Sequence, residues 1–270
     1  MRVMLVGDVV GRPGRRAVQE LLSGLRSEQK LDFVIVNCEN AAAGFGITAG
    51  LADELLEAGA DCLTSGNHIW AQKGTEQVLQ RERRLLRPAN YPPQCPGRGS
   101  GVYEACDGTR VGVLNLQGRV FMGELDCPFR TADAEIEYIC EDGADLIVVD
   151  FHAEATSEKM ALGQYLDGRV AAVIGTHTHV MTADEQILPG GTAYLTDVGM
   201  TGPTQGTIIG MQSAEILQRF ITLMPQRFQV RKQGEARFSA VVFEYSLDTR
   251  RSKRIKRLER CITVGEGSAP

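Results

Sequence analysis

The chain has 270 residues, of which 43% are hydrophobic and 23% charged, and its net charge is -5 from 29 basic and 34 acidic residues. These values exclude a membrane span, which needs roughly 20 apolar residues, and a general attraction to nucleic acid; they indicate a water-soluble globular protein. Its 7 cysteines include no C-x-x-C pair, which argues against a disulfide framework or a structural zinc site and predicts a cytoplasmic protein.

Five short apolar segments have the composition of strands, and each ends in small or polar residues. They cover residues 3–8, 33–40, 61–68, 146–152 and 170–179. Near-continuous runs of Val, Ile and Leu are typical of strands that are buried on both faces. A further strand is predicted at residues 110–116.

Helical patterns lie between these strands, at residues 15–25, 49–58, 75–86, 131–140 and 157–166, and again at 213–223. For the second helix, Thr48 is the predicted N-cap and Gly59 the stop. The alternation of strand and helix predicts an α/β layered fold. Residues 88–101, rich in Pro and Gly, are predicted to form a connecting loop. Strand-rich segments follow Gly191, and we expect a second sheet built largely from them, at residues 192–199, 227–232 and 237–246.

Side chains that can bind metal ions stand at the ends of the five strands. The set is Asp8, Glu39, Asn40, Asn67, His68, His152, His177 and His179, and it contains all 4 histidines of the chain. Because the carboxyl ends of strands in open α/β sheets meet at one edge, we expect these side chains to lie close together. In an extended segment, residues i and i+2 face the same side, so His177 and His179 are both expected to point inward.

This donor set is too large for one tetrahedral ion with an open position, and it fits two metals. Two ions about 3.5 to 4 Å apart can share a bridging carboxylate and a bridging hydroxide during phosphoryl transfer. Nitrogen and oxygen ligands without sulfur suit Mn, Fe or Zn, with Ni as a further option, and do not choose between them. Cys38 adjoins Glu39 but is expected to point into the core.

Four short motifs resemble, in order, those of the calcineurin-like metallophosphoesterases. They are "GD" at residues 7–8, "GNH" at 66–68, "FH" at 151–152 and "THTH" at 176–179. Two departures are present: Val10 stands where that superfamily usually has a histidine, and "NCEN" at 37–40 replaces G-D-x-x-D/N. These departures, with "AAGFGIT" at 42–48 and "TDVGMTGP" at 196–203, are similar to the YmdB-like phosphodiesterases along nearly the whole chain.

The resemblance implies a single domain over residues 1–270 with a four-layer αββα sandwich, in which helices flank two mixed sheets. It implies a metal-dependent phosphodiesterase that hydrolyses cyclic nucleotides through a hydroxide bridging two divalent ions. Substrates with a 2',3'-cyclic phosphate are expected especially, and 3',5'-cyclic nucleotides are a second class. RNA ends are a further candidate substrate, and a homo-oligomer is compatible with the resemblance.

The resemblance also assigns roles to the candidate residues. One metal would be held by Asp8, Asn40 and His179, the other by Asn67, His152 and His177, and Glu39 would bridge them. His68 would be the catalytic proton donor to the leaving oxygen, a role that suits an imidazole titrating near neutrality. The structural alternative is that His68 only orients Asn67.

Two other functions use the same residues. A phosphomonoesterase needs the same two metals and differs only in how the pocket treats the extra ester group. A regulatory protein of a different class would bind metal for stability and have negligible turnover. Nucleic-acid binding through the basic segment 250–260, "RRSKRIKRLER", is the least favoured function, because the segment has no aromatic residue and is more typical of a solvated strand or helix face.

Three further features have both a functional and a structural interpretation. The loop at residues 118–130 carries Phe121, Met122 and Phe129, which suit base stacking or local packing. Asp197 suits either a hydrogen bond to a ligand histidine or a turn cap. Arg12, Arg15 and Arg16 suit either phosphate binding or a solvated helix face.

Overall fold

A computed structural model of the chain describes residues 1–265, which form a mixed α/β fold. These residues contain six helices, α1 (Gly11–Gln29), α2 (Ala49–Glu57), α3 (Thr75–Arg81), α4 (Pro128–Glu141), α5 (Thr156–Tyr165) and α6 (Ser213–Thr222). The strands of the N-terminal half are β1 (Arg2–Val6), β2 (Asp8–Val9), β3 (Phe33–Asn37), β4 (Cys62–Thr64), β5 (Ser100–Glu104) and β6 (Arg110–Gln117). The remaining strands are β7 (Leu146–His152), β8 (Ala172–Thr176), β9 (Gln186–Ile187), β10 (Ala193–Leu195), β11 (Met200–Pro203), β12 (Thr207–Ile208), β13 (Met211–Gln212), β14 (Gly234–Ser246) and β15 (Arg251–Val264).

The strands form two large sheets and one small one. The first sheet has seven strands in the order β2-β11-β14-β1-β3-β4, with β15 paired to β14. The second has six strands in the order β5-β6-β7-β8-β10-β9, and β12 and β13 form a two-stranded sheet. Parallel pairs join β1 to β3, β3 to β4, β6 to β7 and β7 to β8.

The prediction that the second sheet is built largely from the segments after Gly191 is wrong. Its strands come mainly from the middle of the chain, between residues 100 and 195, whereas β11, β14 and β15 of the C-terminal half join the first sheet. β14 pairs with β1 over Ala240 to Glu244 and with β15 along its whole length, so the C-terminal hairpin extends the N-terminal sheet. The segment 227–232 contributes only an isolated bridge between Met211 and Val230.

Three hydrophobic clusters explain why the strand sequences are apolar on both faces. Alternate residues of β1 enter different clusters: Val3 and Leu5 pack in one, and Met4 and Val6 in another. The cluster shared by the two sheets includes Phe33, Ile35, Val113, Val148, Ile174 and Phe243. The other two lie against helices, with α1 and α2 contributing Val18, Leu22 and Leu55 to the first, and α4 and α5 contributing Ile136, Ile139 and Leu162 to the second.

The helices match the sequence pattern with shifted ends. α1 is longer than predicted, and its buried Val18, Leu22 and Leu25 recur at helical spacing. α3 ends early at Arg81, because Leu85 and Leu86 instead form bridges to Leu63 and Arg98. Thr48 precedes α2 in extended conformation but makes no side-chain capping hydrogen bond. Within residues 1–265, no helix has both the length and the apolar character that crossing a membrane requires.

Candidate metal centre

Five of the eight candidate site residues come from the first sheet and three from the second. Asp8 lies in β2, while Glu39, Asn40, Asn67 and His68 follow β3 and β4 of the same first sheet. The second sheet provides the last residue of β7, His152, and the two residues that follow β8, His177 and His179. The expectation that one open sheet edge gathers all of them is therefore wrong: two sheets do so.

Four contacts each join two of the eight residues. Three of them join the sheets: the His177 amide donates to Asp8 Oδ2 at 3.2 Å, His152 Nε2 lies 3.0 Å from Asn67 Oδ1, and His179 Nε2 lies 3.2 Å from Asn40 Oδ1. The fourth places His68 Nδ1 2.8 Å from Glu39 Oε1. Every candidate residue thus contacts another member of the set.

A buried hydrogen-bond chain fixes the tautomer of His152. Its Nδ1 lies 3.0 Å from Thr176 Oγ1, and that hydroxyl is 2.8 Å from Asp150 Oδ1. A hydroxyl has one proton, and the Asp150 carboxylate can only accept it, so Thr176 accepts the Nδ1 proton of His152. The Nε2 atom of His152 therefore presents its lone pair to the site.

The imidazoles of His179 and His177 are oriented in the same manner. His179 donates its Nδ1 proton to the carbonyl of Ile209 at 3.0 Å, which leaves Nε2 as an acceptor facing Asn40. His177 Nε2 lies 3.0 Å from the carboxylate of Glu154, so its proton is on that side and its Nδ1 carries the lone pair. Such partners on the far ring nitrogen are typical of metal-binding histidines.

Lone pairs consequently converge without a proton between them. His177 Nδ1 and Asn67 Oδ1 lie 3.1 and 3.0 Å from His152 Nε2, and all three atoms are acceptors. Asn40 Oδ1 and His179 Nε2 form a second acceptor pair, in which the amide is oriented by donation from Asn40 Nδ2 to the Gly44 carbonyl at 2.8 Å. Facing acceptors repel each other unless a cation lies among them.

Each of the two carboxylates has one oxygen without a partner among the described residues. Asp8 Oδ1 and Glu39 Oε2 are buried and have no hydrogen bond to any described residue. The nitrogens of His152 lie 3.7 Å from Asp8 Oδ1 and 3.6 Å from Glu39 Oε1, too far for hydrogen bonds. A buried carboxylate without a partner is costly, and a bound cation removes that cost.

Burial favours the neutral form of the three imidazoles and of both carboxyl groups in the absence of a cation. Burial lowers the pKa of His152 well below its ordinary value, lowers that of His177 to about 4 and lowers that of His179, so these imidazoles are neutral near pH 7. Burial, together with the charges of Asp197 and Asp150, raises the pKa of Asp8 well above the usual range. Burial likewise raises the pKa of Glu39, against the lowering effect of His68.

The donor atoms therefore fit divalent cations. Among residues 1–265, no three carboxylate, imidazole or thiolate groups converge closely enough to hold an ion by themselves. Each acceptor cluster includes an amide oxygen, from Asn67 or Asn40, so the asparagines complete the sets. Mixed oxygen and nitrogen donors of this kind suit first-row divalent metals.

His68 contributes no atom to either group of acceptors, although Asn40 Nδ2 lies 3.2 Å from its Nδ1. With Glu39 ionised, the His68 ring donates its Nδ1 proton to that carboxylate, and its backbone amide donates to the same oxygen at 2.7 Å. The side chain is 32% exposed and its ring packs edge-on against Phe45 at 5.0 Å. No hydrogen bond between His68 and Asn67 is present in the described part of the chain. Its exposure leaves room for contact with a substrate.

The segment carrying His177 and His179 is not the extended strand that the sequence predicts. β8 ends at Thr176, and the two histidines have φ values of 97° and 66°, a region that residues other than glycine rarely adopt. The two rings consequently face different neighbours, His152 and Asn40. Strain of this kind persists at functional sites where the surrounding structure imposes it.

A buried ion pair imposes that conformation. Lys159 of α5 donates to Asp197 Oδ2 at 2.6 Å and to the Thr176 carbonyl at 2.7 Å, and both charged side chains are 1% exposed. Asp197 also accepts the Thr178 amide at 3.1 Å and the Gly199 amide at 2.8 Å. Asp197 therefore holds the histidine segment through its backbone and makes no bond to a histidine ring.

Replacing Lys159 by methionine is expected to lower the free energy of unfolding by about 3–5 kcal/mol, because Asp197 is left as a buried charge without a counterion. The matched change Arg237→Met breaks an exposed ion pair with Glu259, 43% and 44% exposed, and is expected to cost less than about 1 kcal/mol. Urea denaturation of both variants measures the difference. Equal losses would contradict a bracing role for Lys159.

Asp150 is the main site residue that the sequence analysis missed. Its carboxylate accepts hydrogen bonds from Thr64 Oγ1 at 2.5 Å, Asn37 Nδ2 at 2.9 Å and Thr176 Oγ1 at 2.8 Å, and so links both sheets beneath the site. Burial raises its pKa to about 6. A carboxylate inside the apolar run of β7 was the available signal, since buried Asp is rare without partners.

The remaining sequence candidates have mainly structural contacts. Phe129 packs edge-on against Tyr165 at 5.4 Å, whereas Phe121 is 89% exposed. Arg15 donates to Glu54 and to the Ala41 carbonyl. Cys38 is buried, as expected. The basic segment lies in β15, a strand whose buried positions include Ser252, Leu258 and Val264, so its interpretation as a strand with a solvated face is confirmed.

Comparisons with known proteins agree along nearly the whole chain. The model of the family described as YmdB-like protein matches residues 4–258. A protein of Bacillus subtilis named 2',3'-cyclic-nucleotide 2'-phosphodiesterase is 48% identical over 260 residues, which cover 96% of each chain.

Two solved structures have the same fold. A hypothetical protein from Thermus thermophilus is 44% identical, with a TM-score of 0.89 over 97% of this chain and 99% of that one. A structure described as a novel phosphatase from Mycoplasma pneumoniae is 35% identical, with a TM-score of 0.90 over 98% of this chain and 94% of that one. The resemblance inferred from the motifs is confirmed, and the chain belongs to the YmdB-like protein family.

Proposed function

We propose that this protein is a metal-dependent phosphodiesterase that opens the ring of 2',3'-cyclic nucleotides. The observation that carries the proposal is the convergence of three acceptor atoms that a cation would stabilise: His177 Nδ1 and Asn67 Oδ1 lie 3.1 and 3.0 Å from His152 Nε2. The substrate class is supported by the name of the Bacillus subtilis relative, which is 48% identical.

The chain's own residues divide into two proposed ligand groups. Asp8, Asn40 and His179 would hold one divalent ion, and Asn67, His152 and His177 the other. Glu39, whose Oε1 lies 3.6 Å from His152 Nε2, would contribute to both. Two such ions activate water as a nucleophile and neutralise charge on the phosphoryl oxygens, and Fe, Mn and Zn all suit these donors.

His68 is proposed to protonate the leaving oxygen. Water adds its oxygen to phosphorus, the bond between phosphorus and O2' breaks, and O2' takes a proton to become the 2' hydroxyl of a 3'-phosphate. Donation of the Nδ1 proton to Glu39 Oε1 at 2.8 Å orients the His68 ring and leaves Nε2 to deliver the proton. The packing of Phe45 against the ring limits its rotation.

The layer arrangement is also part of the proposal. We propose a single domain with the four-layer αββα order, in which the two sheets form the inner layers and the helices the outer ones. Support comes from the cluster that contains Phe33 of the first sheet and Val148 of the second, and from the helix residues Val18 and Ile136 in the two outer clusters. In this arrangement, packing between the layers would hold the strand ends, and with them the donor side chains, in fixed positions.

Hydrolysis of 2',3'-cyclic AMP by the purified protein tests the function. We expect activity in the protein loaded with Mn(II), loss of activity after a chelator, and recovery when Mn(II) is returned. 4-Nitrophenyl phosphate, a monoester, is the comparison substrate, because the solved Mycoplasma pneumoniae relative is described as a phosphatase. Faster turnover of the monoester would favour a phosphomonoesterase, and no turnover of either substrate with metal bound would favour a regulatory protein.

A further inference from the structure

A concave surface lies outside the candidate metal centre, and none of the candidate donors lines it. It is a cleft of about 970 Å³ between the segment 79–100 and the first turns of α4. Four arginines, Arg83, Arg87, Arg98 and Arg130, contribute to its walls. Its volume is at the upper end of the roughly 300–1,000 Å³ that holds a small ligand, so it has room for more than one nucleotide.

The charges of these arginines are not cancelled by carboxylates. In residues 1–265, none of the four forms an ion pair, whereas the neighbouring Arg84 binds Glu82 at 3.0 Å. The acidic residues of the cleft are Asp126 and Glu135, and Glu135 instead accepts the Ser100 hydroxyl. The cleft thus has a net positive charge in a chain whose total charge is -5.

Arg87 is a fixed buried cation at the base of this cleft. It is 5% exposed, and its guanidinium donates to the carbonyls of Pro88, Cys95 and Pro96 at 2.8, 3.3 and 3.1 Å. Burial lowers its pKa. Carbonyl partners orient the guanidinium but leave its charge in place, so an anion bound in the cleft would be attracted without any rearrangement.

The N-terminus of α4 adds to the positive potential. The N-cap residue Cys127 and the first-turn residues Arg130 and Thr131 line the cleft, and within residues 1–265 no side chain caps this end of the 14-residue helix. The uncapped amides and the helix dipole favour negative charge there. Since α4 follows β6, its N-terminus lies at the carboxyl end of the strands, the end at which the metal donors are found.

Tyr91 connects the cleft to the metal centre. Its ring lines the cleft and packs edge-on against Trp70 at 5.7 Å, two residues beyond His68. Its hydroxyl lies 3.5 Å from Gln117 Oε1, and Gln117 is the strand partner of His152. Glu39 also contributes to the raised pKa of Tyr91, which is caused mainly by burial. Tyr91 therefore links the cleft to the chain segments that carry His68 and His152.

We infer that the cleft binds the phosphodiester backbone of an RNA whose 2',3'-cyclic end lies at the metal centre. This inference rests on the proposed function. A 2',3'-cyclic phosphate requires both ribose hydroxyls, so the polymer is RNA and not DNA. The arginines bind the upstream phosphates, and the rings of Tyr91 and the exposed Tyr138 offer stacking surfaces for bases.

The test compares two substrates and two double variants. The substrates are 2',3'-cyclic AMP and a hexaribonucleotide ending in a 2',3'-cyclic phosphate, both with the Mn(II)-loaded full chain. The cleft variant is Arg98→Gln with Arg130→Gln, two exposed side chains whose loss leaves the Arg87 contacts intact. The control is Lys253→Gln with Arg254→Gln, an equal charge change at exposed positions of β15.

We expect the wild-type KM to be about tenfold lower for the hexamer than for 2',3'-cyclic AMP. The cleft variant should raise the hexamer KM about tenfold and change that of 2',3'-cyclic AMP less than about twofold, with the control unchanged. Fluorescence anisotropy of a labelled hexamer ending in a 3'-phosphate gives Kd independently of turnover. In the cleft variant, the slope of log Kd against log salt concentration for the hexamer should become smaller by about 0.7 for each phosphate that is no longer bound.

Different outcomes separate the two ideas. Equal wild-type KM values, or a hexamer preference that survives in the cleft variant, would overturn the role of the cleft while 2',3'-cyclic AMP hydrolysis upholds the proposed function. If neither substrate is hydrolysed, the proposed function is wrong. The anisotropy measurement then tests by itself whether the cleft binds RNA. Hexamer binding that is unaffected by the cleft variant, but weakened by the control, would assign RNA binding to the basic strand instead.

Discussion

Replacing His68 by alanine is expected to lower kcat for 2',3'-cyclic AMP by roughly 10²–10⁴, the usual contribution of a general acid, without reducing the bound metal. The expectation follows from the position of the ring, which donates to Glu39 Oε1 at 2.8 Å but belongs to neither acceptor cluster. Proton donation matters only when the leaving oxygen is a poor leaving group. An ester of 4-nitrophenol, whose anion leaves without protonation, should therefore lose much less rate in the same variant.

The variant His179→Ala is the matched control for this experiment. His179 Nε2 faces Asn40 Oδ1 at 3.2 Å, so its removal should reduce the metal content per chain together with the activity. Metal analysis by mass spectrometry, alongside kcat for both substrates, separates the two roles. Loss of metal in His68→Ala to the level of His179→Ala would show that His68 is a ligand. An equal loss of rate on both esters would contradict proton donation.

The change Asp8→Asn is expected to abolish metal-dependent activity and yet make the metal-free protein more stable. Asp8 is 0% exposed, and its Oδ1 has no hydrogen-bond partner. The negative charges of Asp197 and Asp150 make the ionised form of Asp8 still less favourable. The asparagine side chain has a similar shape but no charge. Its oxygen can still accept the backbone amide of His177. A gain of about 1–3 kcal/mol in unfolding free energy is expected in the presence of a chelator.

Urea denaturation with chelator and with Mn(II) measures this change. Binding of Mn(II) to the native wild-type protein should raise its stability in proportion to the logarithm of free metal, and Asp8→Asn should lose that gain. Asp197→Asn is the control, because it breaks the bond with Lys159 at 2.6 Å and should destabilise the protein in both conditions. An Asp8→Asn protein that is less stable than wild type in chelator would contradict the interpretation of Asp8 as an uncompensated charge.

The strands and the candidate donors were accessible from the sequence because both follow local rules. A strand buried on both faces must be apolar, so β1, β3, β7 and β8 are recognisable from composition alone. A histidine or carboxylate directly after such a strand interrupts the pattern. Asp8, His152 and His177 were identified in this way.

The pairing of the strands could not be predicted from the sequence. β14 has the same local character whether it joins β1 or forms a separate sheet, and only packing selects the antiparallel register from Val6↔Ala240 to Arg2↔Glu244. For the same reason, the donors were expected at one sheet edge. Contacts such as His152 to Asn67, 85 positions apart, depend on how the two sheets are packed together.

The sequence by itself determined the family, the apolar strands and the types of the donor side chains, since each depends on residues that are close together along the chain. The tertiary structure alone decided which ring nitrogens face the site. The Nε2 of His152 is free because Asp150 and Thr176 engage its Nδ1, and the left-handed backbone of His177 and His179 follows from a buried pair, Lys159 and Asp197. These partners come from separate elements, and their effect is electrostatic and steric, so it exists only once the elements are packed.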